Sequence, residues 1–169
     1  MIIIVMGLPG SGKSFFSQHL AKALNAEYLS SDRVRSTLKM SGKYSLNDKL
    51  YVYEWLANLA EGAIDRKANV VVDATFYLQQ TRELFLEIAR RRNIDIKCIL
   101  IQASETVIKK RLEQPRKESE ADYQVYKKIK KEYENIDIPC LRLTSKSDNI
   151  DLMLELAQEF IETKKNESV

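Results

Sequence analysis

Apolar and polar positions along this chain switch repeatedly between two periods. Continuous apolar runs alternate with stretches in which apolar side chains recur every three or four residues, the patterns of buried strands and amphipathic helices. The run Ile2–Met6 predicts a strand, and Phe15, Phe16, His19, Leu20 and Ala23 continue it as a helix over 13–25. A short strand, Glu27–Ser30, leads into a short helix from Ser31, and Ser41, Gly42 and Lys43 mark a turn. A long helix is expected over 46–67, with Ser45 as its N-cap and Asp48 favourable in its first turn. Strand 69–73 is continuous in valine, which predicts cover on both faces. A helix over Gln79–Arg92, a strand over Ile96–Gln102, a Ser104-capped helix over 105–113 and a helix over 122–135 follow. Strand 138–143 and helix 149–163 complete the pattern, with fraying expected after Lys164. Five strands alternating with helices predict one three-layer α/β domain over 1–169, built on a parallel sheet. Its ligands should gather at the carboxyl ends of the strands.

Composition narrows this picture modestly. A chain of 169 residues, 44% hydrophobic and 30% charged, can bury one sizeable core as an ordinary soluble domain. Neither a signal peptide nor an apolar run of transmembrane length is visible, so no membrane association is expected. Cys98 and Cys140 lie in apolar strand segments and are expected as reduced, buried thiols, which points to the cytoplasm. A net charge of +3 permits a polyanionic partner without demanding one.

Chemistry enters at the end of the first strand. Gly7-Leu8-Pro9-Gly10-Ser11-Gly12-Lys13-Ser14 is the pattern G-x-x-x-x-G-K-[ST], set at a strand-to-helix junction. Its glycines let backbone N–H groups turn inward around a polyphosphate, and the following helix adds its partial positive charge. Gly7, Gly10, Ser11 and Gly12 are therefore expected to cradle a nucleoside triphosphate. Lys13 would reach its β/γ oxygens, and the Ser14 hydroxyl would ligate Mg²⁺.

Absences limit the class. A GTPase would need N-K-x-D and D-x-x-G, and neither occurs. A motor or transporter ATPase usually follows its Walker B aspartate with a glutamate, whereas Asp73 is followed by Ala74. What remains is a phosphotransferase that holds an acceptor hydroxyl. Asp32, just past the second strand, is the candidate base for that hydroxyl, and Arg35 shares its helix face as a candidate anion contact. Asp73 either orients a Mg²⁺-bound water or caps its loop. Arg111 either meets the nucleotide or complements its helix dipole.

With Gly7–Ser14, Ser31-Asp32-Arg33-Val34-Arg35, Val72-Asp73-Ala74-Thr75 and an arginine-bearing hinge over 111–117 in that order, the chain resembles P-loop kinases of the polynucleotide-kinase-like group, which includes the seryl-tRNA kinases. The resemblance covers nearly the whole chain. It implies sheet order 2-3-1-4-5, ATP and Mg²⁺ as cofactors, Asp32 as general base, Arg35 at the acceptor phosphate and a short mobile lid near Arg116, within about 111–121. Those kinases usually read Asp-Thr-Asn after strand three; here Ala74-Thr75-Phe76 stands there, keeping Thr75 and losing the amide. Arg111 and Arg116 are five apart with Pro115 between them, so either Arg116 or Lys117 would cap the transferring phosphate.

The best single acceptor on this reading is the 5′-hydroxyl of a polynucleotide or nucleoside. The alternatives are a sugar, antibiotic or other metabolite and, in another class, a nucleotide-binding switch without phosphotransfer, against which Asp32 and Arg35 speak. His19 is expected to be structural, and the basic runs 90–92 and 127–131 to decorate solvated helix faces. On the long helix, Leu50, Tyr53, Ala57, Ala60 and Ile64 form a core stripe. Tyr51 and Trp55 lie off it, as secondary packing or as an acceptor wall on which a base would stack, with Lys39, Lys43 and Lys49 nearby for backbone phosphates.

Overall fold

In the computed structural model, which describes residues 1–40, 42–114 and 121–163, all five strands run parallel. They are β1 (Ile2–Met6), β2 (Glu27–Ser30), β3 (Val70–Asp73), β4 (Ile96–Gln102) and β5 (Cys140–Thr144). Their order is β2-β3-β1-β4-β5, the doubly wound arrangement expected from the resemblance. Direct pairing sets Val5 beside Asp73, Ser30 beside Asp73, and Cys98 beside Cys140. The ends of β1, β2 and β3 therefore meet on one rim.

Alternation along the strands divides the core in two. Ile2, Ile4, Met6, Val72 and Leu100 face the helices α3 (Leu46–Asp65) and α4 (Gln79–Arg92). Ile3, Val5, Val71, Ile99 and Ile101 face α1 (Lys13–Ala23) and α7 (Ile150–Glu162). Every residue of β1 has zero exposure, as a central strand covered on both faces requires. Each large side chain buried so completely contributes about 1.5–3 kcal/mol. The remaining helices are α2 (Ser31–Thr37), α5 (Glu105–Leu112) and α6 (Tyr123–Glu132). Among the described residues no helix is long and apolar enough to cross a membrane.

Ser45 caps α3 as expected, in a reciprocal capping box with Asp48. Helix and strand ends shift by one or two residues in several places, and three differences have a plain cause. The buried side of α3 is Val52, Tyr53, Leu56, Ala57, Ala60 and Ala63, with Leu50 and Ile64 only half-buried, because α3 packs at once on the sheet, α2 and α4. Strand β5 begins at Cys140 rather than 138, since Pro139 has no N–H for the ladder. Helix α6 ends at Glu132 rather than 135. Beyond it the Tyr133 hydroxyl donates to Thr75 O at 3.1 Å and Glu134 N–H to Tyr77 O at 2.9 Å, which pulls the chain out of the helix and across the top of the sheet.

Candidate active site

The turn from β1 into α1 is held by close backbone approach. Gly7 has φ +151°, and a Cβ there would lie 2.4 Å from Ile101 O. Gly12, at the N-cap of α1, has φ +94°, and a Cβ would meet Ser145 Oγ at 2.7 Å and an Arg111 nitrogen at 3.1 Å. Only glycine fits either place. The first turn of α1 carries no acidic residue, so its exposed N–H groups and positive end stay uncompensated beside Lys13 and Ser14. Gly10 adds a third positive φ to the loop, and Ser11 Oγ is buried without a partner among the described residues.

Arg111 fastens this loop from the far side. Its guanidinium donates to the carbonyls of Gly10 at 3.3 Å and Ser11 at 3.1 Å and to Ser145 Oγ at 3.1 Å. Partial burial pulls its pKa below the ordinary guanidinium value. The side chain thus braces the loop and one wall of a cavity of about 430 Å³, lined by Lys13, Phe15, Arg111, Ser145 and Lys146.

Asp73 closes β3 on the α1 side and is 2% exposed. Its Oδ2 accepts the Tyr28 hydroxyl at 2.7 Å, while Oδ1 has no partner among the described residues. Burial, and next the neighbouring carboxylate, push the Tyr28 phenol well above its usual value. A buried carboxylate oxygen with no donor among the described residues is the chemistry a divalent cation or its bound water satisfies, so Asp73 fits a Mg²⁺ ion.

On the rim formed by β2, β3 and the start of α3, a polar cluster surrounds Thr75. The Tyr53 hydroxyl lies 3.3 Å from Thr75 Oγ1 and accepts Phe76 N–H at 2.9 Å. Burial pushes the Tyr53 phenol up to about 12, with Asp32 near enough for its charge to add to the rise. Lys49 Nζ donates to the Tyr77 hydroxyl at 2.6 Å. Phe76, between Thr75 and Tyr77, takes φ +50°, a left-handed conformation uncommon for a bulky residue, and the buried Arg82 guanidinium grips its carbonyl at 2.8 Å.

Of the residues singled out by sequence, the structure brings Asp32 and Thr75 to one rim, and Lys13, Ser14 and Arg111 to the loop beside it. Arg35 is half-buried, donating to Lys43 O at 2.5 Å and stacking 4.7 Å from the Tyr44 ring centroid, so it braces the loop before α3. Tyr51 and Trp55 pack edge-to-face on each other and stay exposed. At 100° per residue they stand on the side of α3 opposite Tyr53, away from the cluster. Arg116, Lys117 and the rest of 115–120 in the expected lid lie outside the described residues. His19 is exposed and hydrogen-bonded to Phe15 O. Arg90, Arg91 and Arg92 pair with Glu83, Glu61 and Asp65 on solvated faces, and such pairs contribute little. Tyr28, Tyr77 and Ser145 were not anticipated, and Tyr53 was expected only in the core. Only their tertiary neighbours mark them.

The central parallel strand, glycine-bound turn and uncompensated helix start define a P-loop nucleotide-binding fold. The family model described as an AAA domain (AAA_33) matches residues 2–136, and the chain belongs to that family. Solved structures share the fold at low identity. An APS kinase, CysC, of Mycobacterium tuberculosis in complex with AMPPNP and APS is 21% identical, with 96% of this chain and 97% of that one covered and a TM-score of 0.73. A gluconokinase from Sinorhizobium meliloti 1021 is 17% identical over 94% of each chain, with a TM-score of 0.70. Kti12 of Chaetomium thermophilum, in complex with ADP-AlF3, is 17% identical over 96% of this chain and all of that one, with a TM-score of 0.72.

Proposed function

We propose that this protein is an ATP-dependent phosphotransferase that moves a γ-phosphoryl group to a hydroxyl on an anionic acceptor. The observation that carries the reading is the shared rim. Asp32 and the Tyr53–Thr75 pair stand at the ends of β2 and β3, next to the strand that delivers Lys13 and Ser14. A hydroxyl placed there meets a carboxylate that accepts its proton and hydroxyl groups that orient it. Loop N–H groups and Lys13 hold the β- and γ-phosphates, and positioning with charge stabilisation supplies most of the rate. Ser14 and Asp73 would hold Mg²⁺, which when bound neutralises charge on the phosphates. Lys49, with Arg35 and Lys43 set around Asp48, would offer cations on the acceptor side to an anionic group.

Two observations favour a small acceptor over the 5′-hydroxyl of a polynucleotide. The aromatic pair offered as a stacking platform, Tyr51 and Trp55, is on the opposite face of α3. Two structural neighbours, an APS kinase and a gluconokinase, are kinases of small molecules. The test is transfer of labelled phosphate from ATP with Mg²⁺ to a panel of phosphorylated sugars, sugar acids, nucleosides, nucleotides and 5′-hydroxyl oligonucleotides. Turnover restricted to small anionic alcohols supports the reading. Turnover restricted to oligonucleotides moves the acceptor to nucleic acid, and transfer to no acceptor, with ATP bound, defeats it in favour of a nucleotide-binding switch.

A further inference from the structure

Away from this site, two cysteines meet across the sheet. Cys98 in β4 and Cys140 at the start of the edge strand β5 are register partners, and their Sγ atoms lie 2.6 Å apart. Both are free thiols, and they are the only cysteines of the chain. We propose that Cys98 and Cys140 form a reversible oxidation site at which a small peroxide joins the two thiols into one disulfide between β4 and β5.

Geometry supplies the first argument. Paired residues of adjacent strands already hold their Cα atoms at a separation a disulfide accepts, so closure needs no strand movement. Access supplies the second. A cavity of about 330 Å³ opens under β4 and β5, lined by Cys98 with Leu86, Ile138, Pro139 and Phe160, with ample room for hydrogen peroxide. Cys98 is 2% exposed, whereas Cys140 is half-buried. Cys140, the more open of the two, is therefore the sulfur that a peroxide meets first.

That difference in exposure assigns the order of events, and the hydrogen bond between the thiols agrees with it. The Cys98 thiol donates to the Cys140 sulfur, and Arg142 and Arg82 stand near it; hydrogen bond first and then cations hold the Cys140 thiol below its usual range. The same hydrogen bond, and then burial, push Cys98 up. The Cys140 thiolate attacks one peroxide oxygen, the O–O bond breaks, and hydroxide leaves Cys140 as a sulfenic acid. The Cys98 sulfur then attacks the Cys140 sulfur, loses its proton and expels the second oxygen as water. The sulfur pair gives up two electrons, and one peroxide becomes two waters. A dithiol reductant reverses the bond by exchange.

The bond would close a loop from 98 to 140 that carries α5, with Arg111, and α6. Cross-linking a loop of that length restricts the unfolded chain and raises the melting temperature by about 5–10 °C. The experiment treats the full chain with hydrogen peroxide, quenches with catalase, alkylates remaining thiols in denaturant for intact mass and follows thermal melting on a parallel unalkylated sample. Expected are loss of two hydrogens, no alkylation, a monomeric band on a non-reducing gel and the higher melting temperature, all reversed by dithiothreitol. Cys98→Ser and Cys140→Ser should each show no peroxide-dependent rise in melting temperature. Two alkylatable thiols after treatment, oxygen added to both sulfurs, or the same melting rise in either serine variant overturns the proposal. The mass result on the unaltered chain decides the matter even where a variant folds poorly.

Discussion

The Tyr53 hydroxyl stands 3.3 Å from Thr75 Oγ1 while accepting the Phe76 N–H, so one phenol ties α3 to the end of β3. Tyr53→Phe leaves the buried Phe76 N–H without its acceptor. The cost should be about 1–3 kcal/mol, a lower melting temperature by several degrees. Because Thr75 also loses its fixed orientation, the acceptor KM should rise more than the ATP KM. Steady-state kinetics beside thermal melting checks both, and equal changes in the two KM values would count against Thr75 as an acceptor contact.

Lys13→Ala should abolish phosphotransfer and leave the melting curve near that of the unaltered protein, since Lys13 is only half-buried at the start of α1. Measurable turnover close to normal in the folded variant would remove the donor-site assignment.

Asp32→Asn keeps size and hydrogen-bonding reach while losing the proton acceptor. Turnover should fall about 10²–10⁴-fold with ATP affinity nearly unchanged. A parallel loss of ATP affinity, read by calorimetric titration, would place Asp32 on the metal or donor side instead.

Gly12→Ala should damage nucleotide binding more severely than its size suggests. The new Cβ would strike Ser145 Oγ and Arg111 and hold an unfavourable φ of +94°. Gly42→Ala serves as the comparison, since its φ is +76° yet nothing lies within 4 Å of the added carbon. Both variants should lose stability from backbone strain, and only Gly12→Ala should lose ATP affinity.

Lys49→Met keeps most of the side chain's length and removes the charged Nζ that lies 5.1 Å from the Tyr77 ring centroid and donates to its hydroxyl. With an anionic acceptor, KM should rise about 10–100-fold, matching a lost charge-assisted hydrogen bond of about 1.5–3 kcal/mol, and less at high salt. An unchanged acceptor KM would argue for a neutral acceptor.

The fold was legible because it is written in local periodicity. Each strand and helix reads from its own residues, and the phosphate loop is eight contiguous ones. What depended on tertiary packing was harder to read. On α3 the apolar residues are numerous enough to support more than one stripe, and only packing on α2, α4 and the sheet together selects Val52, Leu56 and Ala63. Tyr53 was read as core, and it is buried, but its hydroxyl end makes it part of the candidate site. Tyr51 and Trp55 drew attention as large aromatics off the stripe, and they proved to be each other's neighbours in solvent. Asp73 was ambiguous in sequence because its environment comes from Tyr28, 45 residues away.

Arg111 has a consequence for how the molecule comes into being. Its contacts reach back 101 and 100 residues to Gly10 and Ser11, and forward 34 to Ser145. During synthesis the phosphate loop thus leaves the ribosome about a hundred residues before Arg111 and still further before Ser145, the side chains that complete it. A nascent chain stopped before β5 carries the whole Gly7–Ser14 motif without Ser145, which lines the cavity beside that loop. Long-range closure of this kind slows folding. It also makes the finished phosphate loop depend on the assembly of segments as far apart as Gly10 and Ser145.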